Sequence, residues 1–174
     1  IKGRTLANTT NWSALSEATF QVAELGPPLR ITEINYNPLG GDAYEFIELQ
    51  NVSSTPLDLS GFALQGVDFR FSEGSSLAGG ARLALISPLN PALFAQRYPS
   101  VAIGGSFEGN LSNGGESLAI VDRTGRKVVS LTYDDEGGWP IEADNGGRSL
   151  EIIDPNGDPN DPANWRASVQ LGGS

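Results

Sequence analysis

Apolar and polar residues alternate over short stretches along most of the chain, and turn-forming residues separate these stretches. Alternation of this kind predicts β-strands, because successive side chains of a strand point to opposite faces of a sheet. From Arg30 onward we expect strands at 30–36, 44–51, 62–71, 82–87, 117–121, 127–133 and 148–153, and a last one at 164–168. About seven short strands joined by Gly-, Asn- and Asp-rich turns predict an all-β fold, an antiparallel β-sandwich.

One segment departs from the strand pattern, near residues 90–98. Asn90 is a good N-cap residue, Pro91 suits the first position of a helix, and Pro99 stops its continuation. We therefore expect one short helix near 90–98, lying over one end of the sheets.

The residues expected to supply most of the core are apolar residues of the expected strands. They are Phe46, Leu49, Phe62, Leu64, Leu83, Leu85, Leu118, Ile120, Val129, Leu131, Leu150 and Ile152. Burying side chains of this size contributes about 1.5–3 kcal/mol each before the loss of conformational entropy is subtracted.

The first part of the chain is separated from the rest by Gly26-Pro27-Pro28, which is typical of a stiff boundary. Strands are expected at about 1–6 and 18–23, around a turn that carries Trp12. We interpret 1–25 as an N-terminal extension, the end of a preceding β domain or a linker, and 29–174 as the main domain. The chain starts at Ile1 and has no 18-residue apolar span, so we expect a piece of a longer protein without membrane insertion.

Composition narrows the classes of function. Eleven basic and 21 acidic residues give a formal charge of −10, which repels nucleic acid and anionic lipid and leaves cations as plausible ligands. The chain has no Cys and no His, so thiolate sites and imidazole-based catalysis are excluded.

Three glutamates in residues 31–51 are the arguable candidates for carboxylate catalysis: Glu33, Glu45 and Glu48. If two strands pair through the connection 37–43, Glu33 lies beside Ile47, Asn35 beside Glu45 and Thr32 opposite Glu48. The glutamates then occupy both faces of the sheet, whereas glycosidases need two carboxylates across one cleft. Structural roles are therefore favoured, and a carboxylate hydrolase is the third hypothesis.

A second acidic stretch, 154–161, places side-chain oxygens at alternate positions, as calcium-binding loops do. The candidate ligands are Asp154, Asn156, Asp158, Asn160 and Asp161. The same residues are the usual formers of Asx turns, so a structural turn is the favoured interpretation and calcium the alternative.

Trp139 follows an acidic loop and could stack on a sugar, together with Trp12 and Trp165. Tryptophan in small sandwiches is more often a core residue, so carbohydrate binding is the minority interpretation.

Several motifs in order along residues 29–170 resemble the lamin tail domain family in its bacterial form. They are ITEINYNP, YEFIELQNVSSTPLDLSGFAL, RLALIS, GESLAIVD, WPIEADNGGRSLEIIDP and NDPANWRAS. The resemblance implies an immunoglobulin-like β-sandwich and a non-catalytic interaction or spacer module of a larger secreted or cell-surface bacterial protein. We expect no cofactor other than the alternative of calcium at 154–161. The partner of the module would be another protein or neighbouring domains of the same chain. Animal members have basic surfaces linked with chromatin, whereas this chain is acidic, so we expect no nucleic acid.

The alternative function is a calcium- or carbohydrate-binding accessory module that targets a neighbouring catalytic domain. It depends on the oxygen series at 154–161 and on the tryptophans.

Overall fold

The computed structural model describes residues 26–144 and 146–173, together with the backbone of two short strands that pair antiparallel, Lys2–Gly3 (β1) and Ser16–Glu17 (β2). The expected strand at 18–23 and the turn around Trp12 lie outside the described residues. The proposed division into 1–25 and 29–174 stays a prediction.

Most strands lie close to their predicted positions. In chain order they are Leu29–Asn35 (β3), Phe46–Asn51 (β4), Leu57–Asp58 (β5), Ala63–Gln65 (β6), Phe69–Arg70 (β7), Ser76–Leu77 (β8), Arg82–Ile86 (β9), Ile103–Ser106 (β10), Glu116–Val121 (β11), Lys127–Tyr133 (β12), Leu150–Ile152 (β13) and Trp165–Ala167 (β14).

The strands form two main sheets. The larger sheet has the order β10-β9-β4-β3-β13-β14, and the smaller has the order β12-β11-β6-β7, while β5 and β8 pair separately. All pairs are antiparallel except β9 and β10, which run parallel. A parallel pair needs a crossover connection, and the helix Pro91–Arg97 (α1) lies within it.

The helix predicted near 90–98 is confirmed as α1. The Asn90 side chain accepts a hydrogen bond from the Leu93 N–H at 3.1 Å, and Pro91 occupies the first turn. Single turns of 3₁₀ helix are found at Asp42–Tyr44, Ile141–Ala143 and Pro162–Asn164. In the described part of the chain, no helix has both the length and the apolar character needed to cross a membrane.

One predicted strand, 62–71, is in fact two strands joined by a turn. Gly66 has a φ of 103°, which L side chains rarely adopt, and a Cβ there would lie 2.5 Å from the Ser117 carbonyl oxygen. The turn at Gly66 folds β7 back against β6, and this makes β7 an edge of the smaller sheet.

The core lies between the two main sheets and contains most of the predicted residues. Val129 and Ile152 are only partly buried, and Phe46 belongs to a separate cluster. The aromatic rings of Tyr36 and Tyr133, which were not predicted to be core residues, stack in the core with centroids 4.9 Å apart.

Phe46 points away from the core, toward the outer face of the larger sheet. There it packs with Ala84 and Ile86 against Phe94 of α1. The helix thus covers one half of this outer face with apolar contacts. The other half carries polar side chains.

Candidate functional site

Three glutamates lie opposite one another on neighbouring strands of the uncovered half. Glu48 on β4 is paired in register with Glu33 on β3, and Glu33 is paired with Glu151 on β13. Arg166 on β14 continues the line. We call Glu48, Glu33 and Glu151 the acidic row. Like charges at directly opposed strand positions are destabilising, so this arrangement needs an explanation.

A β-bulge at Thr32 creates the acidic row. Ile31 pairs with Leu49, but the next pair is Glu33 with Glu48, so Thr32 is an extra residue in β3. The predicted register, with Glu33 beside Ile47, is therefore wrong by one residue. The bulge does break the alternation, since two polar residues, Thr32 and Glu33, stand between the core residues Ile31 and Ile34. The predicted register was wrong because it treated β3 as a regular strand.

The two ends of the acidic row are held by arginines. Glu48 accepts hydrogen bonds from the Thr32 hydroxyl at 2.5 Å and from Arg82 at 3.0 Å. Glu151 Oε2 accepts from Arg166 Nε and lies 3.0 Å from its Nη2. About half of each arginine side chain is exposed, so solvent screens these ion pairs in part.

The middle of the row is covered by the C-terminal segment 168–173. Glu33 is 1% exposed and accepts a hydrogen bond from the Ser149 hydroxyl at 2.5 Å. Asn35 donates to the Gly172 carbonyl oxygen at 3.1 Å. A Cβ on Gly173, whose φ is 110°, would lie 2.5 Å from Glu33 Oε1. Only glycine allows the segment to approach the carboxylate this closely.

Beside this covering segment the outer face contains a cavity of about 360 Å³, lined in part by Glu33 and Glu151. Ile153 and Val169, both largely exposed, form its apolar rim, and Arg82 and Arg166 belong to its walls. We call the acidic row together with this cavity the acidic face.

Glu151, which lines this cavity, has one carboxylate oxygen without a hydrogen-bond partner. It is only 7% exposed, and its Oε1 atom is buried without a hydrogen-bond partner, while Oε2 is held by Arg166. A buried carboxylate oxygen without a donor costs free energy. Because the Oε1 atom itself is shielded from solvent, the fold carries this cost internally.

Glu45, the third candidate for carboxylate catalysis, lies on the core side of the larger sheet. Its carboxylate accepts a hydrogen bond from the Leu111 N–H at 3.0 Å. Burial raises the pKa of Glu45 to about 7; the charges of Asp42 and Glu116 add to this rise, and the Leu111 N–H opposes it. The sheet thus separates Glu45 from Glu33 and Glu48.

The surroundings of Glu45 serve to hold a loop in place. The Tyr133 hydroxyl donates to the Ser112 carbonyl oxygen at 2.9 Å and contacts Glu116 at 3.1 Å, and burial raises the pKa of Tyr133. The Ser112 N–H also donates to Glu116. These bonds attach residues 111–116 to the end of the core.

The loop 154–161 uses its own oxygens as turn acceptors. Asp154, Asp158 and Asp161 each accept a hydrogen bond from the backbone N–H two residues later, at 2.9, 2.9 and 3.0 Å. Among the described residues, no group of three or more acidic, His or Cys side chains is arranged to hold a metal ion. The turn interpretation is thus well supported by the geometry, and calcium binding stays a prediction.

Two asparagines fix this loop to its surroundings. Asn164 accepts from the Asp154 N–H and donates to the carbonyl oxygens of Asp154 and Asp158. Asn160 accepts from the Thr132 N–H at 3.0 Å and donates to the Ser130 carbonyl oxygen at 3.2 Å. Asn160 therefore fastens the loop to the edge strand β12.

The structure places Trp139 in the core, where it is 9% exposed. Its ring lies 5.8 Å from that of Trp165, whose indole N–H donates to the Pro159 carbonyl oxygen. Neither ring presents an open face, so the geometry agrees with the favoured interpretation of these tryptophans as core residues and gives no support to sugar stacking by Trp139. Trp12 lies outside the described residues.

Sequence reasoning did not single out Glu151, Arg166 and Arg82. The available signal was weak: each is a charged residue in an otherwise apolar strand. They lie beside Glu33 and Glu48 because of the order of the strands in the sheet, and this order could not be predicted from the sequence.

The lamin tail domain family model matches residues 23–135, more than half of the chain. The chain therefore belongs to the lamin tail domain family, a family of non-enzymatic immunoglobulin-like domains, and the predicted immunoglobulin-like β-sandwich is confirmed. None of the curated proteins matches it. Strands β13 and β14 lie beyond the matched residues and complete the larger sheet, so Glu33 and Glu48 fall inside the match whereas Glu151 and Arg166 fall outside it.

Proposed function

We propose that this chain is a non-catalytic interaction module of a larger secreted or cell-surface bacterial protein. Its acidic face holds a protein partner, either a separate chain or a neighbouring domain of the same one. The observation that carries this proposal is the cavity of about 360 Å³ on the outer face, which combines the charged side chains of Glu151 and Arg166 with an exposed aliphatic rim of Ile153 and Val169.

The energetics of the acidic row support a binding role. Three opposed carboxylates repel one another, and two of them are nearly inaccessible to water. Apolar residues at the same sheet positions would avoid the free-energy cost of burying and opposing like charges. Local features that oppose stability in this way are expected where a surface serves recognition.

A protein partner is favoured over a carbohydrate. Sugar sites commonly stack the ligand on aromatic rings, and among the described residues that line the cavity none is aromatic. The walls consist of aliphatic, amide, hydroxyl and charged groups, which suit the side chains of another protein.

The positions of the candidate acids support a non-catalytic role. Glu45 is separated from Glu33 and Glu48 by the sheet, and it holds a loop through the Leu111 N–H. Glu48 and Glu33 lie on one face, where they accept hydrogen bonds from Thr32 and Ser149.

Site-specific photo-crosslinking tests the proposal. A photoreactive residue replaces Val169 at the cavity rim, 77% exposed, or Leu89, 66% exposed and outside the cavity lining. The parent protein is expressed in its natural cells, and crosslinked products are identified by mass spectrometry. We expect one protein or domain to be captured from position 169, to be displaced by an excess of the unmodified chain, and to be absent at position 89. Equal capture at both positions, or none at 169, contradicts the proposal.

A further inference from the structure

We propose that the gap between strands β7 and β10 is a second binding site, which takes an extended apolar segment of a partner protein with a basic residue at one end. The two strands are outer strands of different sheets, and both line a cavity of about 530 Å³. The residues that line this cavity are different from those of the acidic face. The inference therefore goes beyond the proposed function and does not depend on it.

The two strands are joined by one bridge that lies just outside them. Asp68, before β7, and Glu108, after β10, exchange two backbone hydrogen bonds, at 3.1 and 2.8 Å. In a continuous antiparallel sheet the next pair, two residues along, would be Arg70 with Ser106. No hydrogen bond joins the backbones of these two residues in the described part of the chain. The strands therefore separate after the bridge and leave a gap.

On one wall of the gap, β10 has backbone groups that β9 does not use. The Ala102 carbonyl oxygen and the Phe107 N–H form hydrogen bonds with β9, at 2.8 and 3.1 Å. Backbone groups of successive strand residues point to alternate sides. Ile103 and Ser106, which stand next to these two residues, therefore direct their N–H and C=O groups away from β9.

On the other wall, β7 presents backbone groups in the same way. The Phe71 N–H donates to the Phe62 carbonyl oxygen at 2.9 Å, and the Phe71 carbonyl oxygen accepts from the Gly61 N–H at 3.1 Å. Arg70 therefore directs its backbone groups to the opposite side, toward the gap. Free strand edges are templates for the addition of another strand, because an extended backbone offers donors and acceptors at the matching spacing.

The surroundings of β10 favour an apolar segment. The Phe69 ring lies directly against Gly105 and forms the floor of the gap, and Ile103 is 43% exposed. Charged side chains on an outer strand oppose the addition of a further strand. The outer strands β12 and β14 carry Lys127 and Arg166, whereas β10 contains no charged residue.

The closed end of the gap favours a basic residue at one end of the segment. The exposed side chains of Asp68 and Glu108 belong to directly opposed residues of the bridge. Like charges at opposed strand positions repel each other. A lysine or arginine that reaches this end of the gap would reduce the repulsion and set the position of the segment.

Amide hydrogen exchange, measured for each residue by NMR spectroscopy on the purified full chain, tests the inference. The probes are two blocked peptides of alternating threonine and valine, one with a lysine first and one with a lysine last. In the free chain the amides of Ile103 and Ser106 should exchange rapidly. A saturating amount of the better-binding peptide should slow both by at least about tenfold and leave the amide of Val169 unchanged. The same peptide with methylated backbone nitrogens cannot donate hydrogen bonds and should slow neither.

Two matched pairs of variants place the peptide in the gap. Ile103→Lys puts a charge on β10 and should weaken binding about tenfold, whereas Leu89→Lys, the same change at a leucine outside the cavity lining, should change it less than about twofold. Glu108→Lys should weaken binding of the lysine peptide about threefold and strengthen binding of its glutamate counterpart. Glu142→Lys, at an exposed residue outside the cavity lining, should do neither. A thermal melt of each variant establishes that it is folded.

Three results would overturn the inference. Slow exchange at Ile103 and Ser106 in the free chain would show that the edge is already covered, and loss of this protection on dilution would identify a second copy as the cover. Equal protection by the methylated peptide would show that no strand is added. Equal effects of each variant and its matched control would place the peptide elsewhere on the molecule.

Discussion

The loop 154–164 and the acidic face are both rich in side-chain oxygens that accept hydrogen bonds, but the donors come from different places in the chain. In the loop, each of three aspartates accepts a backbone N–H from two residues further along. In the acidic face, Glu33 takes its hydrogen bond from Ser149, 116 residues away, and Glu151 keeps one oxygen without a donor.

The difference shows how separation along the sequence decides whether an acidic side chain finds a hydrogen-bond donor. Acids that are close in sequence find donors in their own turn, because Asx turns form within two residues. Acids brought together by strand pairing depend on whatever the fold places beside them. The more conspicuous acidic motif of this sequence is therefore the more fully satisfied one.

The largest expected effect is a change in stability with pH that is caused by Glu45. This carboxylate is buried and accepts a hydrogen bond from the Leu111 backbone N–H. Its folded pKa of about 7 exceeds the ordinary value of 4.5, so the folded state binds the proton more tightly than the unfolded state does. The free energy of unfolding should therefore fall by up to about 3 kcal/mol as the pH rises from about 4.5 to 7, and then level off.

Urea denaturation at several pH values checks this. Glu45→Gln should remove most of the decline, because the amide oxygen can still accept the Leu111 N–H. Glu73→Gln is the exposed control and should behave like the wild-type chain. A decline of the same size in Glu45→Gln would show that another group is responsible.

The Asn164→Ala variant tests whether the loop is held by its own hydrogen bonds. Asn164 makes three of them to Asp154 and Asp158, so we expect a loss of about 2 kcal/mol in the free energy of unfolding. Asn156→Ala should cost less than about 0.5 kcal/mol, since the Asn156 side chain is exposed and its contribution to the turn is through the backbone N–H. Equal costs for the two variants would mean that the loop does not depend on Asn164.

Replacing Glu151 by an apolar residue should raise the free energy of unfolding, whereas removing a hydrogen-bonding side chain from the loop should lower it. Glu151→Met removes one member of the acidic row and the unsatisfied Oε1, and half-exposed Arg166 can turn to water. We expect the variant to be more stable by about 1 kcal/mol. Asp158→Ala, which loses the turn hydrogen bond from the Asn160 N–H, should be less stable by about 1 kcal/mol. Chemical denaturation measures both, and a destabilised Glu151→Met would show that the row is a net gain to the fold.

The smallest effect is expected from calcium. About 5 mM calcium, enough for a weak extracellular site, should shift the melting temperature by less than about 1 °C, because the loop oxygens already accept backbone N–H groups. A larger shift that magnesium does not reproduce, and that Asp158→Asn abolishes, would establish the calcium site that was the alternative interpretation of 154–161.

Much of the fold could be predicted because its strands carry their own pattern. Residues 130–133 alternate polar and apolar side chains, residues 83–86 form a short apolar run bounded by polar residues, and α1 has both its cap and its proline. The strand β10 was missed because Ile103-Gly104-Gly105-Ser106 contains two glycines and has no alternation. Tyr36 and Tyr133 were missed as core residues because tyrosine occurs in both buried and exposed positions.

The candidate site was less predictable than the fold. Glu33 and Glu48 were recognised as candidates, but the bulge at Thr32 decided that they face each other. Glu151 and Arg166 joined them only because β13 lies between β3 and β14. Strand order is set by packing between distant segments, which a short sequence window does not show. The register had one local sign, the two consecutive polar residues Thr32 and Glu33 between Ile31 and Ile34.

Asn160 has a consequence for how such modules behave when many are crowded together. Its side-chain amide occupies hydrogen-bonding groups at the border of the smaller sheet, at Thr132 and Ser130, where a strand from a neighbouring molecule would otherwise attach. An unprotected border of this kind is a template for fibril-like stacking. Asn160 therefore blocks the addition of a strand from an adjacent copy at this edge.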